Sequence, residues 1–566
     1  MQIQHRPDEQ SESCLASVSG VSVQGSNTSK VRTINYPFQT SIASHFLKPI
    51  SLLKKQKIND LIINMIVKDL QPLSVIENPE FKELIAGLEP SYSIPSRFTF
   101  SNSFLPQKFQ QKQDKLKALL SKTSAITITT DSWTAQHSQT SYISYTAHFI
   151  DNDWGLYSCL LTCHQYEQSH TAENLKDDLY NVLKEWNIFD KVFAVTTDNA
   201  ANMKAAIKLT GWGHIGCFAH TVNLVVQSGI EITEIAPLKR KVKSIVEHFH
   251  RSTKANNKLI DLQKQINAGQ PPLKLKNDVI TRWNSTYFRF ERFLKIKEPL
   301  NAAMGVLQIG MELLTELEWL ELKEICLVLK PFEQISTEMS AEKNVNLSKI
   351  IVIVKGLESA MQKIKQKITT TNAAALINHF GKEIVLRFGS VESNGLMAKC
   401  TLLDPRFKTK LFCSEANLKM ARERLENEVA NLIGTQQRTA ELTPPENEME
   451  TEINKEEENL IWEDFDKIVH TPKQTDSKIK AIIEIKSYLN KNLIYRKENP
   501  LDWWKSRISI YPHLAELAKK YLSIMSTSVP SERVFSKAGI LISERRNRLK
   551  GKNVEMIMFL HCNQQL

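Results

Sequence analysis

No run of apolar residues in this chain approaches the roughly 18–20 needed to cross a bilayer, so no membrane-spanning helix is expected. The first thirty residues are polar and lack an apolar signal core, which argues against secretion. Cysteine is scarce, with eight residues in 566, mostly far apart. That excludes a disulfide framework and fits a reducing interior. No internal repeat occurs at a period of roughly 20–50 residues, so solenoids and propellers are excluded. Neither disorder nor a fibrous repeat dominates, because 42% of residues are hydrophobic and 24% charged. The length allows several domains, or one large domain carrying an insertion.

What the chain does have is unevenly placed charge. Lys and Arg number 73 against 62 Asp and Glu, a net charge of +11. Residues 441–466 hold eleven acidic residues and one Lys, a net of −10, with a Pro444-Pro445 pair. This reads as a solvated loop. The remainder therefore carries +21, the whole-chain +11 less the segment's −10. Residues 533–552 alone hold seven basic residues against one Glu. An anionic partner is implied.

The texture changes along the chain. Residues 1–47 are expected to be disordered, with no helical period. A small helical module follows over 48–121, with Ile58, Leu61, Ile62, Met65 and Ile66 at three- and four-residue spacing. Between Ala125 and Tyr166, three runs rich in β-branched and aromatic residues are separated by short polar turns, which predicts an antiparallel meander. A helix over Thr171–Trp186, a strand over Val192–Thr196 and a helix from about Asn199 come next. Three strands, then helix, strand and helix, predict an α/β fold with a mixed sheet over 122–230. Residues 231–500 read as overwhelmingly helical, and 501–566 as short, apolar and basic helices.

Asp131 follows the first predicted strand and Asp198 the fourth, so adjacent strands would bring two carboxylates together. Carboxylate oxygens are the ligands Mg²⁺ and Mn²⁺ prefer, and two such ions can promote phosphodiester cleavage. Asp after a strand also simply caps the following turn. Cys217 and His220 have the spacing of half a zinc site, but no second pair exists, so a structural zinc is not expected. A buried Cys and a satisfied His is the plainer reading. Trp283, in a helical stretch, is ordinarily a core residue.

Several blocks, in order, resemble the hAT superfamily of transposases and its domesticated zinc-finger BED relatives. They are Asp69-Leu70-Gln71-Pro72-Leu73-Ser74-Val75-Ile76-Glu77, Thr130-Asp131-Ser132-Trp133-Thr134 and Thr197-Asp198-Asn199-Ala200-Ala201-Asn202-Met203. Cys217-Phe218-Ala219-His220, Thr281-Arg282-Trp283-Asn284 and Leu402-Leu403-Asp404-Pro405-Arg406 follow. The last is Ser526-Thr527-Ser528-Val529-Pro530-Ser531-Glu532-Arg533-Val534-Phe535. The resemblance spans about residues 48–562 and implies a ribonuclease-H-like core interrupted by a long helical insertion. Residues 1–60, with Cys14, His5 and His45, cannot build the family's BED finger. Whether that module is lost or encoded upstream stays open.

The resemblance implies a catalytic triad of Asp131, Asp198 and Glu532 that binds Mg²⁺ or Mn²⁺ and cuts and joins DNA strands. It implies that Trp283 stacks on a flipped base beside Arg282, and that His220 touches DNA. Arg533, Arg545, Arg546, Arg548 and Lys550 are expected to contact phosphates of double-stranded DNA. Phe535, Leu541, Leu549, Ile557, Met558 and Leu560 are expected to form a homodimer or higher-oligomer interface. The implied protein is nuclear and touches no membrane. It is either an active transposase or a catalytically silent DNA- and chromatin-binding regulator.

Overall fold

The computed structural model describes residues 49–135, 139–267, 269–277, 283–339, 344–442, 477–542 and 549–566. The predicted disordered terminus lies wholly outside these residues, and so does nearly all of the acidic stretch.

Before the sheet stand the helices Leu52–Lys68, Pro79–Leu88 and Leu105–Ser121. The first begins where the Ser51 hydroxyl accepts the Lys54 N–H, satisfying one of the free donors of a helix start. It buries Ile62, Ile63, Ile66 and Val67. Leu61, read from the sequence as part of the buried face, points to solvent at 57% exposure. One helical turn is 3.6 residues, so Ile63 and Val67 complete the face that Leu61 leaves.

Five strands follow: β1 (Ile126–Ala135), β2 (Thr140–Ile150), β3 (Leu156–Gln165), β4 (Val192–Thr197) and β5 (Gly213–Gly216). They lie in the order β3-β2-β1-β4-β5, antiparallel across β3-β2-β1 and parallel across β1-β4-β5. The meander and the fourth strand stand where the sequence placed them. β5 was missed, because Gly213-His214-Ile215-Gly216 carries two glycines and no β-forming run. The helix Ala172–Glu185 links β3 to β4. It is capped by the Thr171 hydroxyl and buries Leu175, Leu179, Val182 and Leu183 as a single stripe.

Strand alternation sorts side chains to two cores. Ile126 and Ile128 of β1 and Val195 of β4 join the helices before the sheet, the helix Ala172–Glu185 and the C-terminal helix Gly551–Cys562. Ala194 of β4 and Ile215 of β5 face the other core, shared with the helices from Phe218–Ile230 onward. That all-helical part includes Ala236–Arg251, Trp283–Lys295, Glu316–Met339, Ile350–Lys365, Thr371–Phe388 and Glu415–Leu442. The mixed α/β architecture with a large helical insertion agrees with the sequence reading.

After the insertion, the chain returns across the sheet as a non-helical run, residues 523–528, before entering the helix Val529–Leu541. This return is anchored by hydroxyls of the sheet. Thr127 Oγ1 donates to the Ser523 carbonyl at 3.2 Å and Thr196 Oγ1 to the Met525 carbonyl at 2.7 Å. Two threonines buried in a sheet would be costly if unpaired; here they fix where the last helix begins.

Candidate active site

Asp131 is not at the end of β1, as the sequence suggested, but inside it, paired to Ser144 of β2. What ends nearby is the parallel pairing to β4. Its last pair is Thr129 with Thr196. Two residues further along each strand stand Asp131 and Asp198, so the sheet register brings both carboxylates to one place. Neighbouring strands lie about 4.8 Å apart. The alternation that puts Thr127 and Thr129 beneath the returning segment puts Asp131 and Trp133 on the same face. There the helix Val529–Leu541 packs, with Phe535 stacked on Trp133 at a centroid distance of 6.0 Å. Glu532 sits in that helix's first turn, where the helix dipole favours an anion, and its side chain is exposed.

The three carboxylates act on each other. The Asp131 carboxyl is pushed up to about 7, first by burial, then by the Asp198 charge, with Glu532 adding to it. Hydrogen bonds from the Ser132 N–H and the Ser528 hydroxyl oppose the rise. The Ser132 N–H reaches Asp131 Oδ1 at 2.8 Å. Asp198 Oδ1 accepts the Ala200 N–H at 3.2 Å, the turn-capping role that its position after a strand suggested. The groups acting most strongly on Asp131 include no cation.

Around this face lie buried hydroxyls for which the described residues provide no partner: Ser144 Oγ, opposite Asp131, and Ser526 Oγ and Ser531 Oγ on either side of the last turn. Clustered carboxylates and orphaned hydroxyls form an all-oxygen donor set, the type that suits Mg²⁺ or Mn²⁺. Among the described residues, however, no three His, Cys, Asp or Glu side chains are placed to hold one ion. The donor chemistry fits a divalent cation through Asp131 and Asp198.

Cys217 is a structural hub. Its N–H donates to the Thr197 carbonyl at 2.8 Å, next to Asp198. Its Sγ accepts the His220 N–H at 3.4 Å as the cap of the helix Phe218–Ile230, and the Ser528 N–H at 3.3 Å. Burial pushes its thiol up. The plainer reading of this cysteine, buried and satisfied, describes it. No local pattern signals its bond to Ser528, which lies 311 residues away.

Other expected contacts land elsewhere. Trp283, expected to present its indole to a base, is 3% exposed and packs against Tyr287 and Phe332. A base meets no free indole face there, because the apolar ring is worth more inside the helical core. Arg282, Arg545, Arg546 and Arg548 lie outside the described residues. Arg533 and Lys550 are exposed, and His220 is half-buried.

Most of the expected interface residues are buried within this chain. Phe535, Leu541, Ile557, Met558 and Leu560 are each at most 6% exposed and belong to the core beneath the sheet. Leu549 packs against the same core. The tail does dock, but onto its own chain. The Asn563 side chain donates to the Leu160 carbonyl at 2.8 Å and accepts its N–H at 3.0 Å, locking the tail to β3.

Comparison with known proteins accords with this architecture. Residues 129–210 match the ZBED1 RNase-like domain and 215–328 the ZBED1 RNase-like helical domain. Residues 484–563 match the hAT family C-terminal dimerisation region. Zinc finger BED domain-containing protein 4 of Homo sapiens is 27% identical over 525 residues, 90% of this chain and 43% of that protein. Zinc finger BED domain-containing protein 6 of Homo sapiens is 26% identical, over 89% of this chain and 55% of that protein. The "Putative AC transposase" of Zea mays is 25% identical, over 86% and 62% respectively. The chain thus spans about half the length of the curated relatives it matches. It combines ZBED1-type RNase-like domains with a hAT dimerisation region, and the latter supports self-association.

Proposed function

We propose that this chain, built of ZBED1-type RNase-like domains and a hAT dimerisation region, is a nuclear, self-associating DNA-binding protein able to cleave and transfer DNA strands with a divalent metal. What supports this reading is that Asp131 and Asp198 each lie two residues beyond the last β1–β4 pair, and that burial, then the Asp198 charge and the Glu532 charge, push the Asp131 carboxyl up.

Like charges gathered at a buried position without a cation are unfavourable by themselves, and sites arranged this way commonly serve a ligand. Bound there, Mg²⁺ or Mn²⁺ supplies an activated water and a Lewis acid for the leaving oxygen of a phosphodiester. The chain's own residues do the rest. Asp131 and Asp198 would hold the ion, with Asp131 oriented by the Ser132 N–H. Glu532 stands exposed in the first turn of the helix Val529–Leu541. Arg533 and Lys550 offer cations for phosphates, an attraction that weakens as salt rises. No helix among the described residues is long and apolar enough to cross a membrane.

A catalytically silent DNA-binding regulator is the second reading. It is favoured by the absence, among the described residues, of a ready three-ligand metal cluster. One experiment separates the two. The purified protein is incubated with Mn²⁺ or Mg²⁺ and DNA carrying candidate terminal inverted repeats, beside Asp131→Ala and Glu532→Ala. Cleavage lost in both variants supports the enzyme. Salt-sensitive binding with no cutting refutes it and leaves the regulator.

A further inference from the structure

Residues 236–295 hold fourteen Lys and Arg against four Asp and Glu, a net of +10 in a chain whose whole net charge is +11. Three helices carry most of this charge: Ala236–Arg251, Thr253–Ile266 and Trp283–Lys295. In the first, Leu238, Val242, Ile245, Val246 and Phe249 form the buried stripe. Arg240, Lys243, Ser244, Glu247 and Arg251 recur at three- and four-residue spacing on the opposite side. Glu247 is the one acid of that helix. Its carboxylate stands 3.8 Å from Lys243 and 3.6 Å from Arg251, longer than a charge-assisted hydrogen bond to either.

A charged helix face is ordinarily just solvated, but this one borders a hollow. Three cavities of about 390, 450 and 440 Å³ lie along the end of the helix. They adjoin, because they share walls: Glu247 and Arg251 line the first two, and His248 and Ser252 the second and third. The first is also lined by Arg289, which comes from the helix Trp283–Lys295 and is 1% exposed. The third is lined by Lys254, at the start of the helix Thr253–Ile266, whose positive end therefore opens into the same groove. The walls thus present Lys243, Arg251, Lys254 and Arg289 against the single carboxylate of Glu247. Cations gathered from three helices around a concave surface focus a positive potential into it.

The groove is tied to the carboxylates by two helices. The Trp283 N–H, at the start of the helix that bears Arg289, donates to Asn223 Oδ1 at 3.3 Å. Asn223 belongs to the helix Phe218–Ile230, whose cap Cys217 bonds the Thr197 carbonyl beside Asp198. Six residues of helix on each side of that bond span about 9 Å each. Arg289 is therefore at most about 35 Å from Asp198, one turn of duplex DNA.

We propose that this groove holds the phosphate backbone of double-stranded DNA and is the chain's main sequence-independent DNA contact. This rests on the DNA-binding reading above and names the surface that serves it, in the helical part rather than in the basic C-terminal stretch. One duplex seated in the groove reaches the Asp131–Asp198 face within a helical turn.

The test compares wild type with the triple variant Lys243→Gln, Arg251→Gln, Lys254→Gln, by fluorescence anisotropy of a labelled DNA duplex across a salt series. All three side chains are exposed, so the melting temperature should be unchanged. The variant should bind at least about 10-fold more weakly, and its slope of log affinity against log salt should be shallower by about 3. A control, Lys363→Gln, Lys365→Gln, Lys367→Gln, removes equal charge at the end of the helix Ile350–Lys365 and should bind within about twofold of wild type. Bound duplex should also shield Lys243 and Lys254 from acetylation, read by mass spectrometry. Wild-type affinity and salt slope in the groove variant overturn the proposal, and so does an equal loss in the control. Equal acetylation of Lys243 and Lys254 with and without DNA overturns it as well. Wild type that binds the duplex through the groove but never cuts it refutes the nuclease reading alone. Wild type that does not bind the duplex overturns both.

Discussion

Replacing Asp131 by Asn tests the electrostatic core of the site without reference to any substrate. Asn keeps the shape, and its Oδ1 can still accept the Ser132 N–H that Asp131 accepts at 2.8 Å. What is removed is a charge disfavoured by burial and by Asp198 and Glu532. The sign follows from linkage. The folded-state value, about 7, lies above the ordinary 3.8. Between these values the folded protein holds a proton that the unfolded chain has lost, so stability falls as pH rises through the window. Below about 3.8 the carboxyl is protonated in both states and costs nothing. Above about 7 the full cost is present. That span corresponds to about 4 kcal/mol, and to about 2 kcal/mol once partial exposure is allowed for. Asp131→Asn should therefore be more stable than wild type at pH 8 by about 2–4 kcal/mol, with the gain shrinking towards zero near pH 4. Urea unfolding from pH 4 to pH 8 measures this directly. Added Mn²⁺ at pH 8 should stabilise wild type and not the variant. A variant no more stable than wild type at pH 8, or a gain independent of pH, refutes the argument.

Other outcomes follow from packing. Trp283→Ala should lower stability by about 3–5 kcal/mol, as truncation of a buried Trp does, rather than impair DNA binding alone; calorimetry decides. A Cβ on Gly229 would stand 2.2 Å from Phe380 Cε1, so Gly229→Ala should cost about 1–3 kcal/mol by overpacking; urea titration detects it. Trp504 is fully buried and its Nε1–H donates to the Leu403 carbonyl at 2.9 Å; Trp504→Phe should be destabilised by about 1–3 kcal/mol in the same assay. Self-association should respond to Ile540, 59% exposed within the matched dimerisation region, rather than to the fully buried Met558. Ile540→Glu should shift the sedimentation profile towards monomer with an unchanged melting temperature. Met558→Asp should instead unfold the tail.

Much of the architecture was legible because its signals are local. The β-branched runs of β1–β3, the single stripe of the helix Ala172–Glu185 and the helical periodicity after Ile230 each follow from spacing within a dozen residues. Those patterns survive folding because the helices satisfy their own backbone hydrogen bonds and β1–β3 pair with strands next to them in sequence. β5 escaped because a four-residue strand with two glycines earns its place from β4 alone.

The sequence alone determined the chemistry that could be gathered: the acids Asp131, Asp198 and Glu532 and the basic run around them. It also determined most of the strands and helices that carry them. Only the tertiary structure decided which of those groups meet. Parallel pairing of β1 with β4 sets Asp131 near Asp198, and a segment 311 residues beyond Cys217 returns to bond its sulfur through the Ser528 N–H. The same long-range packing buried Trp283 and the apolar tail, which in sequence resemble a base platform and an interface. Burial depends on what the rest of the chain places opposite a side chain, and no local pattern encodes that.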